Sequence, residues 1–211
     1  MDEKGYFKFK CNWIKTKLNL NIKQLNQWRA KLYRLGLIGV NSDGIGFGNI
    51  SQRIKNQKFI ITGTGTGGFP ILTKNHYTVV ERCDIKHNIV TCKGPIKASS
   101  ESMSHAVIYK LLPSINAVVH VHNYIMWQKL LNKIPTTSKK AQYGTPELAD
   151  EIERLIKETD LKEKKIFVTA GHSDGIFSFE ENIQKAADIL IKRFNCFYWI
   201  VFFFRTFEFI H

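Results

Sequence analysis

The run Ala117-Val118-Val119-His120-Val121-His122 constrains this chain more than any other stretch of it. A short apolar, β-branched run of this kind is a buried strand. Side chains alternate along a strand, so His120 and His122 project to one face while Val121 faces the other. An imidazole set among apolar residues needs a partner to offset its desolvation. Two imidazoles, two residues apart on one rigid face, can converge on a single cation. The alternative is a pair of ordinary polar residues at a strand end.

The rest of the chain supplies material to bury that strand. With 211 residues, 44% hydrophobic and 23% charged, it is long enough for one full core and has the balance of a globular protein. No window approaches the roughly 18 uninterrupted apolar residues of a membrane span. Met1 to Lys10 has no apolar segment of a signal peptide. The cysteines Cys11, Cys83, Cys92 and Cys196 form no C-x-x-C pair, so a reduced, cytoplasmic protein is expected. The net charge of +13 comes from scattered lysines without a recognition helix or an aromatic–basic RNA signature. It implies a solvated basic face, no nucleic-acid partner and no membrane, with attraction of a phosphorylated substrate as a further effect.

Local signals place the elements. Leu25, Trp28, Leu32 and Leu35 recur at helical spacing before Gly36, which predicts a helix over Ile22 to Leu35. Strands are expected over Ile45 to Arg53, Lys58 to Thr64, Tyr77 to Asp84, Ile89 to Lys93, Ile115 to Val121, Ile166 to Thr169 and Gly175 to Phe179. Helices are expected over Ser99 to Leu112, Tyr124 to Leu131 and Asn182 to Arg193. Another should open at Thr145-Pro146-Glu147, with a threonine cap, a first-position proline and a carboxylate at the positive end of the dipole. Paired strands with helices between them predict a mixed, largely antiparallel sheet covered by helices. One domain over residues 1–194 is expected, followed by an aromatic tail over 195–211 of no assigned role.

Two further segments carry chemistry. Ala98-Ser99-Ser100-Glu101 puts two hydroxyls and a glutamate at a helix start beside Lys97. The serines are either plain caps or, with the free N–H groups there, a phosphate site. Glu101 is either a dipole-complementing glutamate or an acid/base group. Thr62 to Gly68 holds Gly63, Gly65 and Gly68 in a G-x-G-x-x-G pattern. A dinucleotide-binding unit needs a full helix next, and the following strand begins too soon for one. The loop is better suited to face an anion with its amides and the Thr64 hydroxyl. Gly48-Asn49-Ile50-Ser51 is a strand bend or a second such turn. His105 is expected at a partly exposed helix position, and His76 and His87 in loops.

Together, Gly48-Asn49-Ile50-Ser51, Ile61 to Gly65, Ala98 to Glu101, Ala117 to His122 and Ala170 to Gly175 resemble the class II aldolase/adducin family in order and approximate spacing, from about Gln27 to Arg193. The family includes fuculose-phosphate and rhamnulose-phosphate aldolases, ribulose-phosphate 4-epimerase and methylthioribulose-phosphate dehydratase. The resemblance implies an α/β fold, a three-layer α/β/α sandwich around a mostly antiparallel mixed sheet, assembled as a homotetramer. It implies Zn2+, or another divalent metal such as Mn2+, Co2+ or Fe2+, on His120, His122 and His172, with Glu101 as the catalytic acid/base. Gly48, Asn49, Thr64, Gly65, Ser99 and Ser100 would hold the phosphate of a small sugar or sugar phosphate. An ungapped match through Gly175 puts Asp174 at the third ligand position instead of His172; Asp174 would otherwise orient a ligand from behind it. The implied reaction is aldolase-type carbon–carbon cleavage through a metal-stabilised enediolate. A related dehydratase or 4-epimerase, or a non-catalytic adducin-like interaction module, is the alternative. The family's sugar-phosphate aldolases carry a proton-donor tyrosine in the loop after the H-x-H helix. Here Tyr143 is the first tyrosine after that helix, and its place in the chain is late for the role.

Overall fold

The computed structural model describes residues 9–207, with side chains described as far as Phe197. In chain order the elements are β1 (Lys10–Lys15), α1 (Lys23–Arg34), β2 (Gly39–Val40), β3 (Gly46–Phe47), β4 (Asn49–Lys55), β5 (Lys58–Thr62), a 3₁₀ turn (Lys74–His76), β6 (Tyr77–Asp84) and β7 (Ile89–Gly94). They continue with α2 (Ser102–Leu111), β8 (Ala117–His122), α3 (Tyr124–Leu130), α4 (Pro146–Glu158), α5 (Leu161–Lys164), β9 (Ile166–Val168), β10 (Gly175–Glu180) and α6 (Ile183–Phe207).

Eight strands form one sheet in the order β1-β7-β6-β5-β4-β8-β10-β9. Every pairing is antiparallel except β1 on β7, at one edge. The alternation along β8 divides the core. Val119 and Val121 face a cluster with Leu25 and Leu32 of α1, Met126 of α3, and Ile183 and Leu190 of α6. Val118 faces the other cluster, with Met103 and Val107 of α2, Leu148 and Ile152 of α4, and Phe167 and Phe177 from the sheet. The result is the expected three-layer sandwich, with helices on both faces of a mostly antiparallel sheet.

The strong local signals act as expected. Thr145 caps α4 by accepting the Leu148 N–H at 3.4 Å, Pro146 occupies the first turn, and Glu147 lies at the positive end. Gly36 takes a left-handed φ of 68° just after α1, closing it as a C-terminal glycine does. Four expectations change. The strand expected over Ile45 to Arg53 is broken at Gly48, whose φ of 75° turns the chain between β3 and β4. The helix expected from Ser99 begins at Ser102, because the Ser99 carbonyl accepts both the Ser102 N–H (3.0 Å) and its hydroxyl (2.6 Å) in a turn ahead of the helix. The last helix passes Arg193 and runs to Phe207, through much of the expected tail; residues 208–211 lie outside the described residues. Lys10–Lys15, given no element from the sequence, is β1.

Among the described residues no helix is long and apolar enough to cross a membrane. The glycine loop joins β5 to its antiparallel neighbour β6 through turns and the single 3₁₀ turn, so no dinucleotide-binding βαβ unit forms there.

Candidate metal centre

His120 and His122 stand on the α2 side of β8, an interior strand two in from the β9 edge of the sheet. Asn49 of β4 pairs with His120 on one flank, and Gly175 of β10 pairs with His122 on the other. His172 arrives from the turn between β9 and β10. Gly171 packs that turn closely against the chain before α4: a Cβ on Gly171 would lie 2.2 Å from the Ala141 carbonyl oxygen. The Thr169 hydroxyl braces the turn from inside by donating to the His172 carbonyl at 2.8 Å. Gly175 leaves room for the site itself, since a Cβ there would meet Thr169 Oγ1 at 2.4 Å and His120 Cε1 at 3.2 Å.

The three imidazoles therefore meet. One ligand atom from each of His120, His122 and His172 can be chosen so that all lie within 4.8 Å of one another. His120 Nε2 and His122 Nε2 are 3.1 Å apart. A tetrahedral ion with bonds of about 2.0–2.1 Å to nitrogen sets its ligand atoms about 3.3–3.4 Å apart, so this pair already has the spacing of two ligands. The tautomer suits it as well. His120 Nδ1 lies 3.3 Å from the Ile176 carbonyl, which can only accept, so Nδ1 carries the proton and Nε2 offers its lone pair.

Electrostatics keep the two rings on β8 neutral. Burial, then the nearby His122, His172 and His105, hold His120 well below the ordinary imidazole value. Burial, then His172, pushes His122 down to about 3. Neutral imidazoles in a cluster are what a divalent cation needs, because it has no protons to displace. Each ring also has an aromatic neighbour. Phe177 stacks on His120 at 4.1 Å, Phe47 lies 5.3 Å from His122, and Tyr143 lies 4.8 Å from His172, centroid to centroid. The donor set and its protonation fit a single metal ion.

Glu101 is the carboxylate beside the cluster. It sits at the N-cap of α2 rather than in the first turn, is 3% exposed, and makes no capping bond. One oxygen accepts the Ser104 hydroxyl at 3.3 Å, and the other lies 3.2 Å from His172 Nδ1. The side chain thus bridges the first turn of its own helix, through Ser104, and the imidazole of His172. Asp174 is placed differently. Its φ is 67°, its backbone carbonyl accepts the Asn123 N–H at 3.0 Å, and it does not line the cavity with His172. Burial raises its carboxyl above the ordinary value, against the pull of His172.

A cavity of about 240 Å³ opens over this cluster. Its lining includes all three histidines, Glu101, and each of Gly48, Asn49, Thr64, Gly65, Ser99 and Ser100. Asn49 Oδ1 is buried there without a hydrogen-bond partner. The chain thus brings together every residue singled out from the sequence except Asp174. It also adds Phe47, which sequence reasoning passed over, and Tyr143, whose place in the chain had read as late for a role at the site. The left-handed Gly144 (φ 69°) before the Thr145 cap was the available signal for Tyr143, because it turns the chain back toward the site just after the tyrosine.

The other described histidines lie elsewhere. His105 is fully buried rather than partly exposed, with Nδ1 2.7 Å from Ser51 Oγ, which is in turn 2.8 Å from the Tyr109 hydroxyl. His76 accepts the Thr73 N–H at 2.9 Å in the 3₁₀ turn, and His87 pairs with Asp84 at 3.0 Å.

Comparison with known proteins agrees with this geometry. Residues 30–196 match the family model described as "Class II Aldolase and Adducin N-terminal domain". A Mycoplasma pneumoniae protein named "Probable L-ribulose-5-phosphate 4-epimerase" is 30% identical over 77 residues, which is 36% of this chain and 30% of that one. The matched stretch therefore spans less than a third of that relative. Among solved structures, an L-fuculose 1-phosphate aldolase superposes with a TM-score of 0.62 at 21% identity, covering 88% of this chain and 86% of the other. The L-fuculose-1-phosphate aldolase of Thermus thermophilus gives 0.58 at 22% identity, covering 88% and 95%. A sugar-phosphate aldolase from Thermotoga maritima gives 0.60 at 16% identity, covering 85% and 94%. At these identities the structures speak for the fold, and the family match speaks for descent: this chain belongs to the class II aldolase and adducin family.

Proposed function

We propose that the chain is a metal-dependent lyase of the aldolase type, acting on a small sugar or sugar phosphate. The observation that carries this reading is the meeting of three imidazoles with a buried glutamate in one cavity. His120, His122 and His172 would hold the ion, of which zinc best matches an all-imidazole set. Three protein ligands leave a position open, and the bound ion supplies Lewis-acid stabilisation of negative charge on the substrate's oxygens.

The chain's own groups do the rest. Glu101 is the group placed to move a proton beside that centre, with one oxygen toward His172 and the other steadied by Ser104. Thr64, Ser100 and the Gly48 and Gly65 turns line the cavity together with Phe47 and Tyr143. A lining of both polar and aromatic groups suits a substrate that carries a phosphate on a short carbon chain. Tyr143 brings a phenol to the cavity from within this chain, and it is the candidate for donating a proton to the leaving fragment. A homotetramer in the cytoplasm completes the proposal.

A second reading, 4-epimerisation of a ketose phosphate, is favoured by the printed name of the Mycoplasma pneumoniae relative. It uses the same ion and the same phosphate contacts. The experiment is metal analysis joined to a screen of ketose and aldose phosphates, following both cleavage products and epimers, with Glu101→Gln as the control. The parent should bind about one metal per chain and turn over at least one phosphorylated sugar. Glu101→Gln should keep the metal and lose about 10²-fold or more in kcat. Undiminished turnover in Glu101→Gln refutes its role. A well-folded parent that takes up no metal and processes none of the sugars leaves the non-catalytic, adducin-like module as the correct reading.

A further inference from the structure

The glycine loop between β5 and β6 is held from behind by a buried charge. Arg29, on α1, is 1% exposed. Its Nη2 donates to the carbonyls of Thr66 at 2.9 Å and Gly67 at 2.8 Å. Its Nη1 donates to the Phe69 carbonyl and lies 3.5 Å from that of Pro70. Tyr33, one turn along the helix, donates its hydroxyl to the Gly68 carbonyl at 3.3 Å and places its ring 4.8 Å from the guanidinium. The five carbonyls from Thr66 to Pro70 are thus all engaged from the α1 side.

Peptide geometry converts this into a statement about the cavity. In a trans peptide the N–H points opposite to the carbonyl of the same unit, and there are no cis bonds here. Drawing the Thr66 and Gly67 carbonyls to Arg29 therefore aims the N–H groups of Gly67 and Gly68 the other way. Neither of these N–H groups, nor those of Gly65 and Thr66, has an acceptor among the described residues. Gly65, Thr66 and Gly67 line the cavity. Bulk cannot be added at Gly67, where a Cβ would lie 2.4 Å from the Gly39 carbonyl oxygen and 2.7 Å from the Phe47 nitrogen.

The charge is as informative as the geometry. A buried guanidinium normally has a carboxylate partner. Among the described residues Arg29 has carbonyls and two tyrosines, Tyr33 and Tyr77, around it and no carboxylate partner. Burial lowers its pKa, but an arginine starts so high that it stays charged at neutral pH. Carbonyl oxygens satisfy its donors without cancelling its charge, which is left behind a row of unpaired amides.

We propose that Arg29 is a positioning residue for anion binding: it gathers the carbonyls of the glycine loop so that the loop's N–H groups, backed by an unneutralised positive charge, receive the phosphate of a phosphorylated substrate. The inference rests on the phosphate reading of the cavity given above and extends it to a side chain that does not itself line the cavity. Arginine is suited to the task because its planar fork carries five donors at fixed angles, whereas a lysine ammonium has three on a flexible stem.

The test is calorimetric titration of inorganic phosphate into the zinc-loaded full chain, comparing the parent with Arg29→Met and Arg29→Lys. Zinc content and the kcat and KM of any sugar phosphate turned over by the parent are measured alongside. Arg29→Met should bind phosphate about tenfold more weakly, the scale of one hydrogen bond to a charged group. Its KM should rise in parallel, with kcat within about twofold and zinc unchanged. Arg29→Lys keeps the charge but cannot span the same carbonyls, so its loss should be smaller, about threefold. It carries the test if Arg29→Met does not fold. Variants that fold less stably yet keep the parent's phosphate affinity and KM overturn the proposal and leave Arg29 a purely structural residue. A parent that binds no phosphate overturns both this inference and the phosphate cradle. A parent that binds phosphate but turns over no sugar phosphate removes the assigned reaction alone and leaves the role of Arg29 standing.

Discussion

Acidification should unfold the metal-free protein sooner than its carboxylates alone would allow, because several of its imidazoles are buried neutral. His105 and His120 are fully buried. Burial pushes His105 down to about 3 and holds His120 well below its ordinary 6.5. In the unfolded chain both titrate normally. Below pH 6.5 the unfolded state therefore binds more protons than the folded one, and stability falls as the pH falls. For a group with an unfolded value of 6.5 that stays neutral when folded, the loss between pH 7 and pH 5 is about 2 kcal/mol. Two such groups cost about 4 kcal/mol, a large part of an ordinary domain's 5–15 kcal/mol. His122, also pushed down but half-buried, adds a smaller amount in the same direction. Asp174 works against the trend, because burial raises its carboxyl and the folded state then gains from its protonation.

The assay is urea unfolding of metal-free protein at pH 7 and pH 5, with His105→Phe beside the parent. In that variant Ser51 and Tyr109 keep each other as partners at 2.8 Å, so the replacement removes one titrating group without stranding both. The parent should lose about 4 kcal/mol or more over the interval, and His105→Phe about 2 kcal/mol less. A parent loss under about 1 kcal/mol, or an identical loss in both proteins, refutes the claim that these rings are held neutral by the fold.

Three other outcomes follow from the same geometry. His120 and His122 carry no competing protons in the fold, so zinc affinity should fall between pH 7 and pH 6 by well under the roughly hundredfold that two protonated ligands would impose; a drop of about a hundredfold or more contradicts it. Gly48→Ala should cost about 2–3 kcal/mol in urea unfolding, from a left-handed φ of 75° plus a Cβ 2.8 Å from Ile38 Cγ1; Gly65→Ala, with φ 68° and nothing within 4 Å, should cost only the conformational part, about 1 kcal/mol. Equal costs at the two glycines would remove the steric argument. Tyr143→Phe should lower kcat by about 10²-fold or more at unchanged metal content if its hydroxyl is the proton donor, and a full-rate variant excludes that role.

What could be read from the chain in advance divides along physical lines. β8 was legible because a buried strand must be apolar and because alternation is a fixed rule, so the shared face of His120 and His122 needed no tertiary information. α4 was legible because Thr145-Pro146-Glu147 is a local device that works wherever it stands. β1 was missed because its lysine-flanked, half-exposed pattern becomes a strand only through pairing with β7, some eighty residues on. His105 was misplaced because one turn of helix spacing cannot say which neighbours close over it; Ser51 and Phe177 do so from distant positions. Arg29 was invisible for the same reason, since Trp28-Arg29-Ala30 is ordinary amphipathic helix until the glycine loop folds over it. His172 was legible as a residue type, and its convergence with the pair on β8 depended on how closely Gly171 packs against Ala141.

The central claim is that three imidazoles, and not Asp174, hold one ion. Metal content per chain, measured by mass spectrometry on protein expressed with supplemented zinc, tests it directly when the parent is compared with His120→Ala, His172→Ala and Asp174→Ala. The account predicts about one equivalent in the parent and in Asp174→Ala, and under about a tenth in the two histidine variants. Full occupancy in His172→Ala together with loss in Asp174→Ala would contradict it.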